Sequence, residues 1–279
     1  MTARVAAGLQ SGCKQGQSQR NIIELSVIII TKNEGLNIRA CLESVAWANE
    51  IIVVDSGSTD DTVAICREFT PHVFVHDWPG FGAQKNRALS YASKNWVLSL
   101  DADERVPPEL RAEIEGVMHD CREDAYEIPR LSSFLGQCVH HSGWRPDYVT
   151  RLFERGKGRF SDDLVHERVI VTGQTGRLQQ SILHEPYRDA EELLDKINRY
   201  STASALMLRD KNRTASLTKA VAHAIWAFLR SYILRAGFLD RRAGFMLAVS
   251  TAEGTYYRYV KLMLMTDADE LHVGNHKCS

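Results

Sequence analysis

Short apolar runs alternate with stretches of helical spacing over the first hundred residues. Residues 22–30 (IIELSVIII) are nearly continuous in β-branched side chains and predict a strand that stops at the polar turn Thr31-Lys32-Asn33-Glu34-Gly35. Residues 36–47 carry Leu36, Ala40, Leu42 and Val45 at roughly helical spacing. Residues 50–54 (EIIVV) predict a second strand, ending at Asp55-Ser56-Gly57-Ser58-Thr59-Asp60-Asp61. A helix is expected over 62–69, with Asp60 or Asp61 near its N-cap. Residues 73–76 predict a short third strand, 80–94 a glycine turn and a helix, and 96–100 (WVLSL) a fourth strand. The order is βαβαβαβ. Strands apolar on both faces need helices on both sides, so the expected fold class is α/β, a doubly wound sheet. In such sheets ligands bind beyond the carboxyl ends of the strands, and three polar clusters fall there: 31–34, 55–61 and 101–104.

The last cluster, Asp101-Ala102-Asp103-Glu104, sets three carboxylates at the end of a buried strand, where unpaired charge is costly. Two readings fit. A hard divalent cation such as Mg²⁺ or Mn²⁺ takes oxygen ligands and bridges to phosphate. Alternatively, the cluster is an acidic turn before a helix that starts near Val106-Pro107-Pro108-Glu109. No GxxxxGK[ST] and no GxGxxG follows any strand, which removes support for kinase-like and dinucleotide-binding readings.

From residue 124 the pattern changes. Residues 126–130, 148–153, 169–171 and 182–187 read as short antiparallel pieces suited to an acceptor-side subdomain. Within them His140 and His141, being adjacent, would point to opposite faces of a strand, which favours a surface or acceptor-pocket role over a shared metal. His184 with Glu185 reads as a structural pair, and Trp144 fits either sugar stacking or core packing. Beyond residue 189 the chain is helical, with runs over 191–210, 217–239 and 245–265. Residues 209–261 hold ten Lys or Arg against three Asp or Glu, interleaved with Trp226, Phe228, Tyr232, Phe238 and Phe245. Basic helices with aromatic residues suit an anionic membrane surface, here the cytoplasmic one, and no nucleic-acid-binding motif accompanies the charge.

Composition narrows this little. Net charge is −1 and the 44% hydrophobic content is that of a soluble globular chain. Six cysteines without CxxC spacing argue against a zinc site or disulfide framework and for a reducing compartment, and they are expected to be buried and inert. No secretory signal and no membrane span are predicted. The expected organisation is a disordered tail over 1–21, a catalytic domain over 22–188 and a helical region over 189–279.

The stretches SVIIITKNE, EIIVVDSGSTDDT, GFGAQKNRALSYA and WVLSLDADE, in that order and spacing, resemble the family-2 glycosyltransferases with the GT-A fold. VHERV, ILHEPY and YILRAGFLDRRAGF look like the bacterial branch that adds a β-1,4-linked glucose to a lipopolysaccharide inner-core heptose. The resemblance implies a nucleotide-sugar donor, UDP-glucose, and an Mg²⁺ or Mn²⁺ cofactor. It implies that Thr31, Asn33, Glu34 and Asp55 hold the nucleoside, Lys85 and Asn86 sit near the diphosphate, and Asp101 and Asp103 form the DxD motif. Asp103 would be the direct metal ligand, with Asp101 nearer the ribose and a metal-bound water. Ser56 departs from the second aspartate common in the family, while Asp55 remains. An inverting transfer also needs a carboxylate base from the second half of the domain; Glu167 is the first candidate, then Asp163 and Asp162. A non-catalytic nucleotide-sugar-binding protein, a transferase acting on another cell-surface or lipid-linked glycan, and a nucleotidyltransferase releasing pyrophosphate are the competing readings.

Overall fold

The computed structural model describes residues 24–120, 122–161 and 167–275, with side chains up to residue 266. Its first half follows the predicted alternation: β1 (Leu25–Thr31), α1 (Ile38–Ser44), β2 (Glu50–Asp55), α2 (Thr62–Phe69), β3 (Val73–Val75), α3 (Phe81–Tyr91) and β4 (Trp96–Asp101). Then come β5 (Glu104–Arg105), α4 (Pro108–Asp120), β6 (Ala125–Phe134), β7 (Gln137–Cys138), β8 (Tyr148–Glu154), β9 (Gly158–Phe160), β10 (Val169–Val171), β11 (Thr175–Arg177) and β12 (Ile182–His184). Helices α5 (Ala190–Asp210), α6 (Leu217–Leu229) and α7 (Arg241–Asn275) close the chain. The predicted tail over 1–21 lies outside the described residues.

Strands β3, β2, β1 and β4 lie side by side in that order, all parallel. Val27 sits opposite Ile51 on one side and Leu98 on the other. The two-residue pleat then sorts the apolar runs onto two faces. Leu25, Val27, Ile29, Trp96, Leu98 and Leu100 pack with α1, α2 and α4, through Ile38, Leu42, Cys66, Leu110 and Ile114. Ile28, Ile30, Ile52, Val54 and Val97 pack on the other face with Ala88 and Ala92 of α3 and with Phe153 and Phe160. The strand order reverses between β1 and β4, so the loops that follow them diverge and leave a crevice at their carboxyl ends.

Past β4 the sheet continues through β8 and β6, each antiparallel to its neighbour. The expectation of purely antiparallel pieces fails for β11 and β12, which both run parallel to β6. They pair with consecutive parts of it, Thr175 with Ala125 and Ile182 with Arg130, with the non-strand residues 178–181 between them. β5 pairs antiparallel with β12, a two-residue strand too short for periodicity to show.

The helical region also departs from its expected outline. The run over 217–239 breaks after Leu229 into a π turn (Arg230–Leu234) and a 3-10 turn (Gly237–Asp240), and the last helix starts at Arg241 rather than 245. Ala236 and Arg241 both take positive φ, which turns the chain back on itself. A side chain at Gly237 would meet Ser142 Oγ at 2.5 Å and the Ser231 carbonyl at 2.8 Å, so the turn needs glycine there. Leu193 of α5 and Ala243 and Leu247 of α7 pack on Phe134 and Val139, fixing the helices to the sheet. Cys41 and Cys66 are buried, and burial pushes the Cys66 thiol up to about 12; Cys138 is exposed, against expectation, because β7 is a two-residue edge strand.

Phe153 is fully buried between α3 and Phe160, and Gly158 leaves room for its ring. Phe153→Ala is expected to cost roughly 3–5 kcal/mol of stability, read from urea unfolding monitored by circular dichroism.

Candidate active site

Pleat parity puts Asp101 on the same face of the sheet as Val97, towards α3. From that helix Lys85, 4% exposed, reaches Asp101 Oδ1 at 2.9 Å. On β8, Arg151 shares the parity of Phe153 and comes up beside Asp101 from the other side, its Nη2 at 2.5 Å from Oδ2 and 2.6 Å from Glu104 Oε1. Glu104 is fully buried; its other oxygen accepts the Asp101 backbone N–H at 3.0 Å, closing the acidic turn on itself. Arg130 of β6 lies 3.6 Å from Glu104 and 2.7 Å from Asp147, while Lys85 also holds Glu167 Oε1 at 2.8 Å. Burial alone would raise the Asp101 carboxyl, but the charges of Arg151 and Lys85 outweigh it and hold it well below the usual carboxylate range. Burial pushes Glu104 up against the pull of Arg151.

Asp103 sits differently. Its Oδ2 has His184 Nε2 at 3.4 Å, and the backbone N–H of Glu185 donates to its carbonyl at 3.0 Å. The other ring nitrogen, Nδ1, lies 2.9 Å from Ser132 Oγ. Glu34, at the end of β1, feels the same charge: burial raises its carboxyl, a bond from Asn37 lowers it, and Asp103 adds to the rise. His184 does not pair with Glu185, which turns to Arg105 at 3.4 Å.

The remaining predicted residues are held as follows. Asp55 is fully buried and accepts the N–H groups of Gly57 and Ser58 at 2.9 and 2.8 Å and the Ser58 hydroxyl, so it folds the loop after β2. Asn33, at positive φ, takes the Thr59 N–H at 2.8 Å and ties the first loop to the second. Thr31 Oγ1 is buried with no hydrogen-bond partner among the described residues. Asn86 exchanges two 2.9 Å bonds with the Phe160 backbone, which anchors β9. Asp162 and Asp163 lie outside the described residues. Asp101, Lys85 and Glu167 are thus brought together, and Glu34 and Asp103 lie near one another.

Arg151, Arg130 and Ser132 complete the site without having been assigned a role in it from the sequence, and Glu104, expected in the acidic cation-binding turn, is instead engaged by Arg151 and Arg130. A signal for Arg151 exists: it takes an inward position two before Phe153 in a strand, and a buried guanidinium demands anions. His141 and Trp144 are not part of the charged network. His141 Nδ1 meets Asp240 Oδ1 at 2.9 Å, and Trp144 lies near Phe134 and Tyr187. Trp144, Tyr187, Arg130, Asp147, Ser132 and His184 line a cavity of about 360 Å³ that opens beside the Asp103–His184 pair.

Removing one partner from a buried ionic cluster leaves the others uncompensated. Arg151→Met is expected to cost roughly 3–5 kcal/mol at pH 7. Without Arg151 the Glu104 carboxyl, already raised by burial, rises further and Asp101 loses the larger of its two lowering charges, so the loss is largest at pH values where both carboxyls are ionised and shrinks as pH falls and Glu104 takes up a proton. Urea midpoints of variant and parent at pH 5 and pH 7 check both size and sign.

The family model described as glycosyl transferase family 2 matches residues 26–125. An uncharacterized glycosyltransferase of Rickettsia prowazekii (strain Madrid E) is 31% identical over 252 residues, 86% of each chain. The lipopolysaccharide core biosynthesis glycosyltransferase LpsC of Rhizobium meliloti (strain 1021) is 30% identical over 252 residues, 85% of this chain and 93% of that one. Among solved structures, S. aureus TarS 1-349 in complex with UDP-GlcNAc aligns over 88% of this chain and 92% of that one, with 16% identity and a TM-score of 0.46. The agreement in sequence runs over most of the length of the relatives, and on it this chain belongs to glycosyltransferase family 2, with the α/β GT-A fold and a helical C-terminal extension.

Proposed function

We propose that this chain transfers a sugar, glucose from UDP-glucose, onto a heptose of the lipopolysaccharide inner core with inversion, assisted by Mg²⁺ or Mn²⁺. The reading is supported by family membership and by the Rhizobium relative, a lipopolysaccharide core biosynthesis glycosyltransferase. The observation that carries it is the pairing of Asp103 with His184 beside the Lys85–Asp101–Arg151 cluster, at the carboxyl edge of the parallel strands.

The donor set fits a divalent ion held in part by substrate. No group of three or more His, Cys, Asp or Glu is gathered as a metal site among the described residues. Asp103 Oδ2 and His184 Nε2, 3.4 Å apart, are a carboxylate and an imidazole nitrogen that would together hold a small divalent cation. Ser132 at Nδ1 fixes the ring so that Nε2 faces Asp103. Asp101 has both oxygens engaged by cations, so Asp103 and His184 would hold the ion. Such an ion neutralises charge developing on the departing diphosphate.

The chain's own residues supply the rest. Lys85 offers a buried ammonium at the donor edge, and Arg151 fixes Asp101 so that the ammonium stays aimed. Glu167, drawn in by Lys85, is the carboxylate proposed to take the acceptor proton; a diphosphate competing for Lys85 would release it for that role. Asp163 stays second in line. The cavity between Trp144 and Tyr187 suits an acceptor sugar, with Asp147 and Arg130 as polar partners.

The test is UDP release and product linkage with purified truncated core lipid, across a screen of nucleotide sugars with and without Mn²⁺. Asp103→Ala and His184→Ala are each expected to lower metal-dependent turnover by about two orders of magnitude while the fold survives. Transfer by Asp103→Ala at the parental rate without divalent ions would sink the reading. Glu167→Gln is expected to lower kcat by roughly 10²–10⁴ with little change in donor affinity, read from single-turnover transfer and donor titration.

A further inference from the structure

Helix α6 leaves one side uncovered. Leu217, Val221, Ile225, Leu229 and Ile233 recur every fourth residue through α6 and the π turn, and all five are exposed, from 42% to 56%. Trp226 stands beside them, 54% exposed. The row ends at the tip of the reversal, where Leu234, Phe238 and Leu239 are 66%, 48% and 56% exposed. A helix side this apolar is stable only if something apolar covers it.

Charge decides what. Arg230, Arg235, Arg241 and Arg242 surround the tip, all exposed and none in an ion pair among the described residues. The nearby acid, Asp240, is turned inward: it accepts the N–H groups of His140 and His141 at 3.1 and 2.8 Å and meets the His141 ring. The tip therefore presents apolar side chains ringed by four arginines with no exposed acid among them. An anionic lipid surface complements that pattern: the side chains enter the acyl boundary and the guanidinium groups meet headgroup phosphates. No described helix is long and apolar enough to cross a membrane, which leaves a helix lying on the surface.

The tip is also joined to the proposed acceptor cavity. The Ser142 N–H donates to the Arg235 carbonyl at 2.9 Å, and the Arg235 side chain lies so close over Gly143 that a Cβ there would be 1.9 Å from it. Gly143, Trp144 and Pro146 form one wall of the cavity. We infer that the reversal from Arg230 to Arg242 is a wedge that seats in an anionic membrane leaflet and, through its grip on the 140–144 loop, sets the mouth of the acceptor cavity at the lipid surface. The inference rests on the reading that the acceptor is carried by a lipid.

The full chain is mixed with vesicles of phosphatidylglycerol and phosphatidylethanolamine, or of phosphatidylcholine alone, and sedimented. Parent protein is expected to bind the anionic vesicles and to be released by salt. A triple variant, Leu234→Ser with Phe238→Ser and Leu239→Ser, is expected to bind about tenfold or more weakly. The pair Arg241→Ala and Arg242→Ala is expected to lose binding to anionic vesicles only. Both variants should retain the parental melting profile and transfer to a detergent-dispersed acceptor, while transfer to vesicle-embedded acceptor falls. Equal vesicle binding by parent and triple variant would overturn the wedge. So would a parent that ignores vesicles and forms a dimer that the triple variant dissolves in sedimentation equilibrium, since a second copy would then cover the face. Vesicle binding that follows these expectations without any sugar transfer would leave the wedge standing and remove the functional reading instead.

Discussion

A row of alternating charge holds the site together. It runs from Glu167 to Lys85, Asp101, Arg151, Glu104, Arg130 and Asp147, with successive pairs 2.5 to 3.6 Å apart. Its members come from α3, β4, β5, β6, β8 and the loops beside them, so no part of the site can shift without disturbing a neighbour. Each buried charge is costly alone, and alternation lets every cation face two anions. The row spans the proposed donor edge at one end and the acceptor cavity at the other. Its outermost members, Glu167 and Asp147, each keep one partner inside the row, whereas the inner ones have two. Ligands would therefore disturb the ends most easily.

The parallel half of the fold was legible because its signals are local. β-branched runs such as 27–30 and 51–54 can be little other than buried strands, and their pleat decides which side chains meet which helices. The second half was less legible. β5, β7 and β11 are two or three residues long, below the length at which alternation carries information, and the direction of β11 and β12 is set by their long-range pairing with β6. The reversal at Ala236–Arg241 depends on two non-glycine residues at positive φ, which no composition rule anticipates.

The site shows the same division. Asp101, Asp103 and Lys85 follow strand ends or a glycine turn and could be named from the chain. The partnership of Arg151 with Asp101 and Glu104 was not legible, because it joins residues about fifty positions apart. Asp55 and Asn33 show the converse: their positions were legible, but their polar atoms are occupied in bracing the two loops that border the crevice. A preformed crevice of this kind lowers the ordering cost of binding, whatever its occupant.

Lys85 is the point where these arguments converge. A single ammonium has three donors, and in this geometry Asp101 and Glu167 take two of them at 2.9 and 2.8 Å. Asp101 cannot easily release it, since Arg151 keeps that carboxylate ionised and fixed in place. Glu167 has no second ion-pair partner among the described residues and precedes a strand, β10, that pairs only with β9. On the proposed reading an arriving diphosphate would draw on Lys85, and the partner that yields would be Glu167. The ion pair would then hold Glu167 in place until the donor arrives, and donor binding would free the carboxylate by exchanging one partner of Lys85 for another.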